Sequence, residues 1–313
     1  MMSMQESATN YQQFWNSQAG SPESALAAVD GSGDETITRA TGQWSAKQVR
    51  AALDLRETDT VLELGCGVAR IGRELAPQCK QWVGVDISSN MLRSAAHRLK
   101  GLQNTELHAL NRTQLEMLED ERFDKAYCVA VFCHMDKEDF FLYMKELWRV
   151  LKPAGMIYFE TWNMDHPVGW KRWQFEVDQW SRADHSQRKD VARNQFSVPQ
   201  EVDLFTRRAG FEPLACFGNS PWVQMLAVKP ATHFDRPGAL EHIERHRDVI
   251  EVSQERSELF GDYLDVVYGL RHPREVLSEW QTRPETENVY LYRLYLEGLW
   301  RAGAGRWGEL DNY

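Results

Sequence analysis

Short apolar runs alternate with helix-like segments between residues 60 and 161, and this alternation restricts the possible folds more than any other feature. Strands are predicted at Thr60–Leu64, at WVGVD ending in Asp86, and at Thr105–Ala109, Lys125–Val131 and Met156–Thr161. Helices are predicted between them, including Ala69 to about Ala76 and Lys137 to Leu151. Strands that alternate with helices at this spacing indicate a parallel sheet covered on both faces. The sequence therefore predicts a doubly wound α/β domain.

This core is predicted to span residues 46–230, closing with the helix SVPQEVDLFTRRAGF and the strands EPLACF and WVQMLAV. Residues of about 163–197 lack strand alternation and are interpreted as an insertion. Residues 1–45 are predicted to form N-terminal cap helices. Residues 231–313 exceed the core and predict a helical C-terminal extension.

The composition argues against several classes of protein. A net charge of −10 and a pI near 5.5 disfavour a nucleic-acid partner. No run of about 18 apolar residues predicts a membrane span, and the N-terminus lacks the pattern of a signal peptide. The five cysteines form no C-x-x-C pair, which disfavours disulfides and zinc, and no other metal cluster is evident. A cytoplasmic location is expected.

The stretch VLELGCGVAR brings a predicted strand directly into a glycine turn. Gly65 and Gly67 allow a ligand to approach the backbone closely. The third glycine of a dinucleotide-binding turn would fall at position 70, which is Arg70, so a nicotinamide dehydrogenase is disfavoured. Glu63 suits a cationic group of the ligand. Asp86 lies near the roughly 20-residue offset of an acid that binds a ribose diol.

These motifs, followed in order by ALNRTQL, FDKAYCVAVFCHM and RVLKPAGMIYFE, resemble the class I S-adenosylmethionine-dependent methyltransferases of the small-molecule type. The resemblance covers residues of about 40 to 230. It implies a Rossmann-like sheet with a lid insertion, S-adenosylmethionine as cofactor and S-adenosylhomocysteine as product. It also implies methyl transfer to an oxygen, nitrogen or sulfur atom of a small-molecule acceptor. Ala69 departs from the family, which often has a third glycine there.

The resemblance also implies which positions bind the cofactor. Backbone at the two glycines and at Val129 would approach the cofactor's methionine part. Glu63 would lie near the ammonium group, and Asp86 would accept hydrogen bonds from the ribose hydroxyls. The adenine ring would be contacted by three residues: Ile87, Leu110 and Asn111.

Two residues are candidates for catalysis. Methyl transfer is an in-line displacement, so a general base is needed only where the acceptor is protonated or weakly nucleophilic. His134, which follows the fourth strand, is either that base or a residue that holds the next loop. Tyr11 lies on a predicted aromatic helix that either covers the cofactor, with the hydroxyl near the transferring methyl, or simply packs on the core.

The acceptor is not determined by the sequence. Trp170 and Trp173 follow Trp162 and share a helical face with Trp180, which predicts either an aromatic wall for the acceptor or a helix fixed to the core. Acidic residues of the insertion suit a cationic acceptor, whereas its arginines suit a carboxylate or phosphate.

The helical C-terminal extension has three interpretations: it completes the fold, forms a homodimer contact, or supplies a second wall of the acceptor pocket.

Two other functions of the whole protein stay open, a protein-directed methyltransferase and a non-catalytic regulatory protein that binds S-adenosylmethionine.

Overall fold

A computed structural model describes residues 10–184, 193–310 and 313 of the chain. Its strands form one mixed sheet. They are β1 Thr60–Leu64, β2 Gln81–Asp86, β3 Thr105–Ala109, β4 Phe123–Cys128, β5 Leu151–Asn163, β6 Phe196–Ser197, β7 Glu212–Phe217 and β8 Trp222–Val228.

The α-helices of the described residues flank this sheet and extend beyond it. They are α1 Asn10–Gln18, α2 Pro22–Asp30, α3 Glu35–Leu53, α4 Gly72–Leu75, α5 Ser89–Arg98, α6 Lys137–Val150, α7 Pro167–Trp180, α8 Pro199–Ala209, α9 Arg236–Arg245, α10 Arg247–Ile250, α11 Gln254–Val267, α12 Pro273–Trp280, α13 Glu287–Ala302 and α14 Ala304–Trp307. None of the described helices is both long enough and apolar enough to cross a membrane.

The sheet has the order β3-β2-β1-β4-β5-β8-β7, and β6 pairs with β5 beside this path. Strands β1 to β5 pair in parallel, whereas β8 runs antiparallel to both β5 and β7. The α/β doubly wound, Rossmann-like methyltransferase fold predicted from the sequence is confirmed. The antiparallel pair at one edge closes the predicted core near residue 230.

Apolar side chains alternate between the two faces of the sheet, as the pleat of a strand requires. Val61 and Leu62 are neighbours in β1 but belong to separate hydrophobic clusters, one on each face. Tyr158 and Phe159 of β5 divide in the same way. All four are fully buried. Both faces of the sheet are therefore covered, which explains why the strands read as continuous apolar runs.

Three predicted element boundaries differ from the structure because of left-handed backbone. The helix expected from Ala69 begins only at Gly72, since Ala69 has a φ of 57°. Strand β4 ends at Cys128 rather than Val131, and Ala130 also has a φ of 57°. Strand β5 begins at Leu151 rather than at Met156, and Ala154 in this added segment has a φ of 67°.

The C-terminal helices form a compact aromatic layer beside the carboxyl edge of the sheet. Buried residues of α11, α12 and α13 make one hydrophobic cluster, which includes Phe260, Trp280, Tyr292 and Trp300. Helix α13 packs on α11 and also on α3. The extension therefore contacts both the predicted N-terminal cap and the sheet. The predicted domain boundaries themselves stay predictions.

Candidate functional site

The carboxyl ends of the central strands open into a cavity of about 620 Å³. Seven of the predicted cofactor-binding residues line it: Glu63, Gly65, Gly67, Asp86, Ile87, Leu110 and Val129. The predicted catalytic residues Tyr11 and His134 line the same cavity, as does Trp162. The structure thus brings together residues that are up to about 150 positions apart in the sequence. Their individual chemical roles stay predictions.

The glycine turn after β1 has no room for side chains at its two glycines. Gly65 and Gly67 have φ angles of 70° and 52°, a region that favours glycine. A Cβ atom on Gly65 would lie 2.4 Å from Val131 Cγ2, and one on Gly67 would lie 2.8 Å from Val29 Cγ1. The backbone amides of Gly65 and Cys66 both donate to the Val85 carbonyl, at 2.8 and 3.0 Å. The turn is therefore fixed on β2, with bare backbone facing the cavity.

Asp86 ends β2 beside this turn and is oriented by backbone amides. Its Oδ2 accepts a hydrogen bond from the Gly67 amide at 2.8 Å, and its Oδ1 accepts one from the Ser88 amide at 2.8 Å. Burial raises the pKa of Asp86 to about 6, against the lowering effect of these amides. Each carboxylate oxygen has a further lone pair, so the group can also accept hydrogen bonds from a diol.

Glu63 is buried at the end of a chain of hydrogen bonds. Trp82 Nε1 donates to the Tyr127 hydroxyl at 3.0 Å, and that hydroxyl donates to Glu63 Oε2 at 2.5 Å. Burial raises the pKa of Glu63 to about 8, while Tyr127 and the nearby Arg70 act to lower it. A cation bound beside Glu63 would favour the ionised form of its carboxyl group, and this role of Glu63 stays a prediction.

Asn111 is placed differently from the other predicted cofactor-binding residues, and its contact with the adenine stays a prediction. It is exposed and does not line the cavity, whereas Leu110 before it is buried there. Strand β3 ends at Ala109, and the chain turns so that Leu110 points inward and Asn111 points to solvent. The polar residue that lines this part of the cavity is Thr113, whose hydroxyl donates to Asp139 at 2.7 Å.

Helix α1 covers the segment that follows β4. The Tyr11 hydroxyl accepts a hydrogen bond from the Asp136 amide at 3.0 Å. The Trp15 ring meets the His134 ring edge-on, with centroids 5.0 Å apart. Both the tyrosine and the histidine line the cavity, so α1 closes one side of it.

The predicted lid is a helix, but its tryptophans do not face the cavity. Helix α7 presents Arg172, Phe175, Glu176 and Gln179 to the cavity, a stripe at helical spacing. Trp170 and Trp173 stack on each other away from it, and Trp170 is 43% exposed. The structure therefore places neither tryptophan on the cavity, and their contact with the acceptor stays a prediction. Part of the insertion, residues 185–192, lies outside the described residues.

The aromatic wall comes instead from Trp162 and the C-terminal extension. Trp162 lies parallel to Phe260, with ring centroids 5.7 Å apart and an interplanar angle of 9°. Its centroid is 5.5 Å from that of Trp222. Tyr263, Tyr292 and Tyr295 continue this wall along α11 and α13. The third interpretation of the extension, a second wall of the pocket, fits this arrangement, and the homodimer contact stays a prediction.

Charged groups near this wall were not identified from the sequence. Glu160, at the end of β5, accepts a hydrogen bond from the Tyr158 hydroxyl at 3.2 Å, and Gln224 donates to that hydroxyl at 2.7 Å. Burial raises the pKa of Glu160, whereas Arg256 acts to lower it. Arg256 comes from α11, so only tertiary structure brings these two residues to one cavity.

The described residues contain no group of three or more histidine, cysteine or acidic residues that could hold a metal ion. The observed geometry suits an organic ligand with three different parts. Asp86 would match a diol, and Glu63 would match a cation. The glycine turn between these two residues would allow the ligand to contact the backbone closely.

Comparisons with known proteins find similarity in the segment that contains the glycine turn. The family described as a methyltransferase domain matches residues 61–155. The malonyl-[acyl-carrier protein] O-methyltransferase of Marinomonas sp. strain MWYL1 is 32% identical over 120 residues, which are 37% of this chain and 42% of that protein. The demethylmenaquinone methyltransferase of Staphylococcus saprophyticus is 32% identical over 126 residues, which are 39% of this chain and 53% of that protein.

The chain thus spans about half or less of the length of these curated relatives. Among solved structures, the DhpI–SAH complex matches with a TM-score of 0.50 over 71% of this chain and 96% of that chain, at 14% sequence identity. This similarity shows a shared fold.

Proposed function

Because residues 61–155 match the family described as a methyltransferase domain, we propose that the whole chain is a class I S-adenosylmethionine-dependent enzyme that methylates a small molecule. The observation that carries this proposal is the continuity of the cavity. The glycine turn, Asp86 and the aromatic wall of the C-terminal helices all line one space of about 620 Å³. That volume lies within the usual range of roughly 300–1,000 Å³ for small-molecule sites.

The residues of the turn fit the cofactor. Gly65 and Gly67 carry no side chain that would keep a ligand from the backbone of the turn, and the Asp86 carboxylate is held by amides with acceptor capacity to spare. We propose that Asp86 binds the ribose hydroxyls and that Glu63 faces the ammonium group. Bound in this way, S-adenosylmethionine would supply an activated methyl group.

The acceptor would occupy the side of the cavity formed by Trp162, Phe260 and Tyr295. The protein's contribution there is to position the acceptor and to exclude water, because methyl transfer from a sulfonium disperses charge. The aromatic wall is supplied by segments outside residues 61–155. This supports a proposal in which the extension determines which acceptor is used.

For proton removal, His134 is the better candidate of the two predicted catalytic residues. The Tyr11 hydroxyl already accepts a hydrogen bond from the Asp136 amide. Burial also raises the pKa of Tyr11, so the phenol stays protonated at neutral pH. We therefore assign Tyr11 a positioning role, in which it holds α1 over the cavity.

The two relatives differ in the acceptor that their names describe, a malonyl group on a carrier protein and a menaquinone precursor. A free small molecule is favoured here because helices α7, α11 and α13 surround the acceptor side with buried aromatic residues. A protein-bound acceptor would need to insert its reactive group between these helices.

The test is an acceptor screen with the full chain and S-adenosylmethionine. Pooled small metabolites are supplied, release of S-adenosylhomocysteine is measured, and the methylated product is identified by mass spectrometry. Asp86→Ala is the control, which should lose both cofactor binding and turnover. Turnover with intact proteins but with no metabolite pool would contradict the proposal. Failure of the wild-type chain to bind S-adenosylhomocysteine would contradict it altogether.

A further inference from the structure

Arg256 projects from the first turn of α11 and is held between two indole rings. Its guanidinium carbon lies 3.4 Å from the centroid of the Trp44 ring and 4.9 Å from that of Trp222. The side chain lines the cavity on the side of the aromatic wall. Stacking on aromatic faces fixes the plane of a guanidinium while leaving its edge available for hydrogen bonds.

The guanidinium is incompletely satisfied by the protein. Its Nε and Nη1 atoms are buried and have no hydrogen-bond partner in the part of the chain that the structure describes. No carboxylate of that part forms an ion pair with it, and the groups that interact with it include the Tyr292 hydroxyl and, at longer range, Glu160 and Tyr158. Buried N–H groups of a charged side chain are normally paired, so this arrangement points to a missing partner.

The other two arginines of the cavity are better satisfied than Arg256, although Nε of Arg172 is also buried without a hydrogen bond. Arg70 donates from Nη1 to the Thr41 carbonyl at 2.8 Å and to the Ser45 hydroxyl at 2.9 Å. Arg172 has an ion-pair partner, Glu176, with 3.9 Å between its Nε and Oε1. Arg256 is therefore the arginine of this cavity that has two buried nitrogens without a hydrogen bond to the described residues.

The position of Arg256 favours the acceptor over the cofactor as that partner. The guanidinium that acts on Glu63, at the proposed amino-acid end of the cofactor, is that of Arg70. Arg256 instead adjoins Trp222 and Tyr292, which belong to β8 and α13 and lie outside the matched domain. A ligand group that reaches Arg256 would thus be surrounded by the aromatic wall.

A carboxylate is the group that best matches a planar guanidinium, because two parallel N–H donors meet two oxygens. Glu160 lies on the same side of the cavity, and burial raises its pKa, which favours the acid form. In that form Glu160 can donate a hydrogen bond to the ligand instead of repelling it. The aromatic residues around both groups suit a flat apolar body.

We infer that the methyl acceptor is a flat, largely apolar molecule with a carboxylate, and that Arg256 binds this carboxylate beside Trp44 and Trp222. The inference rests on the proposed function and adds the class of acceptor to it. It concerns how the acceptor is held and leaves the methylated atom to be identified from the product.

The test uses the full chain saturated with S-adenosylhomocysteine and two matched pairs of compounds. The pairs are naphthalene-2-carboxylate with its carboxamide and indole-3-acetate with its acetamide, each titrated by calorimetry. We expect the acid of at least one pair to bind tenfold or more tightly than its amide. Arg256→Gln should abolish this preference while changing the affinity for S-adenosylhomocysteine less than twofold. Arg256→Lys, which keeps the charge but loses the planar pair of donors, should retain only part of the preference for the acid.

Arg245→Gln is the matched control, because Arg245 is a 63% exposed arginine on α9 that is paired with Glu241. It should keep the full preference for acids. The inference is overturned if wild type binds no acid more tightly than its amide, or if Arg256→Gln retains the preference. It is also overturned if Arg256→Gln lowers the affinity for S-adenosylhomocysteine tenfold, since the guanidinium would then bind the cofactor's own carboxylate. Failure of the proposed function is a separate result, in which the wild-type chain binds no S-adenosylhomocysteine.

Discussion

The Tyr127 hydroxyl donates a hydrogen bond of 2.5 Å to Glu63 Oε2, in a pocket where the carboxyl group is buried. This pair connects the core of the sheet with the cavity, because Tyr127 belongs to the buried face of β4 and Glu63 lines the cavity. The protonation state of Glu63 can be tested in the absence of any methyl acceptor.

Glu63 should make the free protein less stable as the pH rises. Its pKa in the folded state is raised to about 8, while that of an unfolded glutamate is about 4.3. The stabilising contribution is therefore fully present below about pH 4 and is lost as the pH rises through 8. Thermal unfolding of wild type and Glu63→Gln at pH 6 and pH 9 should show a larger loss of Tm in wild type. Equal losses in the two proteins would contradict the raised pKa.

Cofactor binding should release a proton near pH 7. Glu63 is mainly protonated in the free protein at that pH, and an adjacent ammonium group would favour its ionised form. Calorimetric titration with S-adenosylhomocysteine in buffers of different ionisation enthalpy measures the number of protons released. We expect a fraction of one proton for wild type and a smaller value for Glu63→Gln. The same release from both proteins would remove Glu63 from the ammonium site.

Gly65→Ala should destabilise the protein through both strain and a clash. The backbone φ of 70° is unfavourable for alanine, and the added Cβ would lie 2.4 Å from Val131. The strain costs about 1–2 kcal/mol and the clash about 1–3 kcal/mol, which together should lower Tm by several degrees. Gly31→Ala is the control, with a φ of 80° and no heavy atom within 4 Å of the added Cβ. Because Val131→Ala removes the clashing side chain, the double variant Gly65→Ala/Val131→Ala should regain part of the stability lost in Gly65→Ala. The double variant Gly31→Ala/Val131→Ala should regain none of the stability lost in Gly31→Ala.

Two aromatic residues of α7 should differ in their effect on the acceptor. Phe175 lines the cavity and stacks on Tyr268 with centroids 3.6 Å apart, whereas Trp170 does not line the cavity and is 43% exposed. Phe175→Ala should raise KM for the acceptor about tenfold, which corresponds to about 1.4 kcal/mol of lost binding. Trp170→Ala should change KM less than twofold. Steady-state kinetics with the acceptor found in the screen measures KM for both variants. A larger increase in KM for Trp170→Ala than for Phe175→Ala would mean that the other face of α7 contacts the acceptor.

The sequence predicted the sheet well because its strands are buried on both faces and read as continuous apolar runs. It also predicted residues that line one cavity, since Gly65 and Asp86 lie at the ends of neighbouring strands and meet at one edge. Asn111 does not line the cavity, whereas Leu110 does, because one residue of difference in a loop reverses the direction of a side chain. Local pattern carries no information about such a reversal.

The acceptor side was predicted less well, and helix α7 shows why. Its sequence contains two stripes, one with Trp170 and Trp173 and one with Arg172 and Phe175. Which stripe faces inward depends on the partners that α11 and the following turn supply, such as Tyr268 for Phe175. These partners lie more than 80 residues away in the chain, so helical periodicity could not choose between the stripes. Arg256 was missed for the same reason.

Helix α3 has a consequence for the order in which ligands bind. Its Thr41 and Ser45 accept hydrogen bonds from Arg70 in the cofactor turn, while Trp44 on the same helix stacks on Arg256. One rigid element thus contacts both compartments. Any movement of α3 that accompanies the first ligand changes the site for the second, and thermodynamic linkage makes the effect equal in both directions. The cofactor and the acceptor should accordingly bind as a cooperative pair and not as two independent ligands.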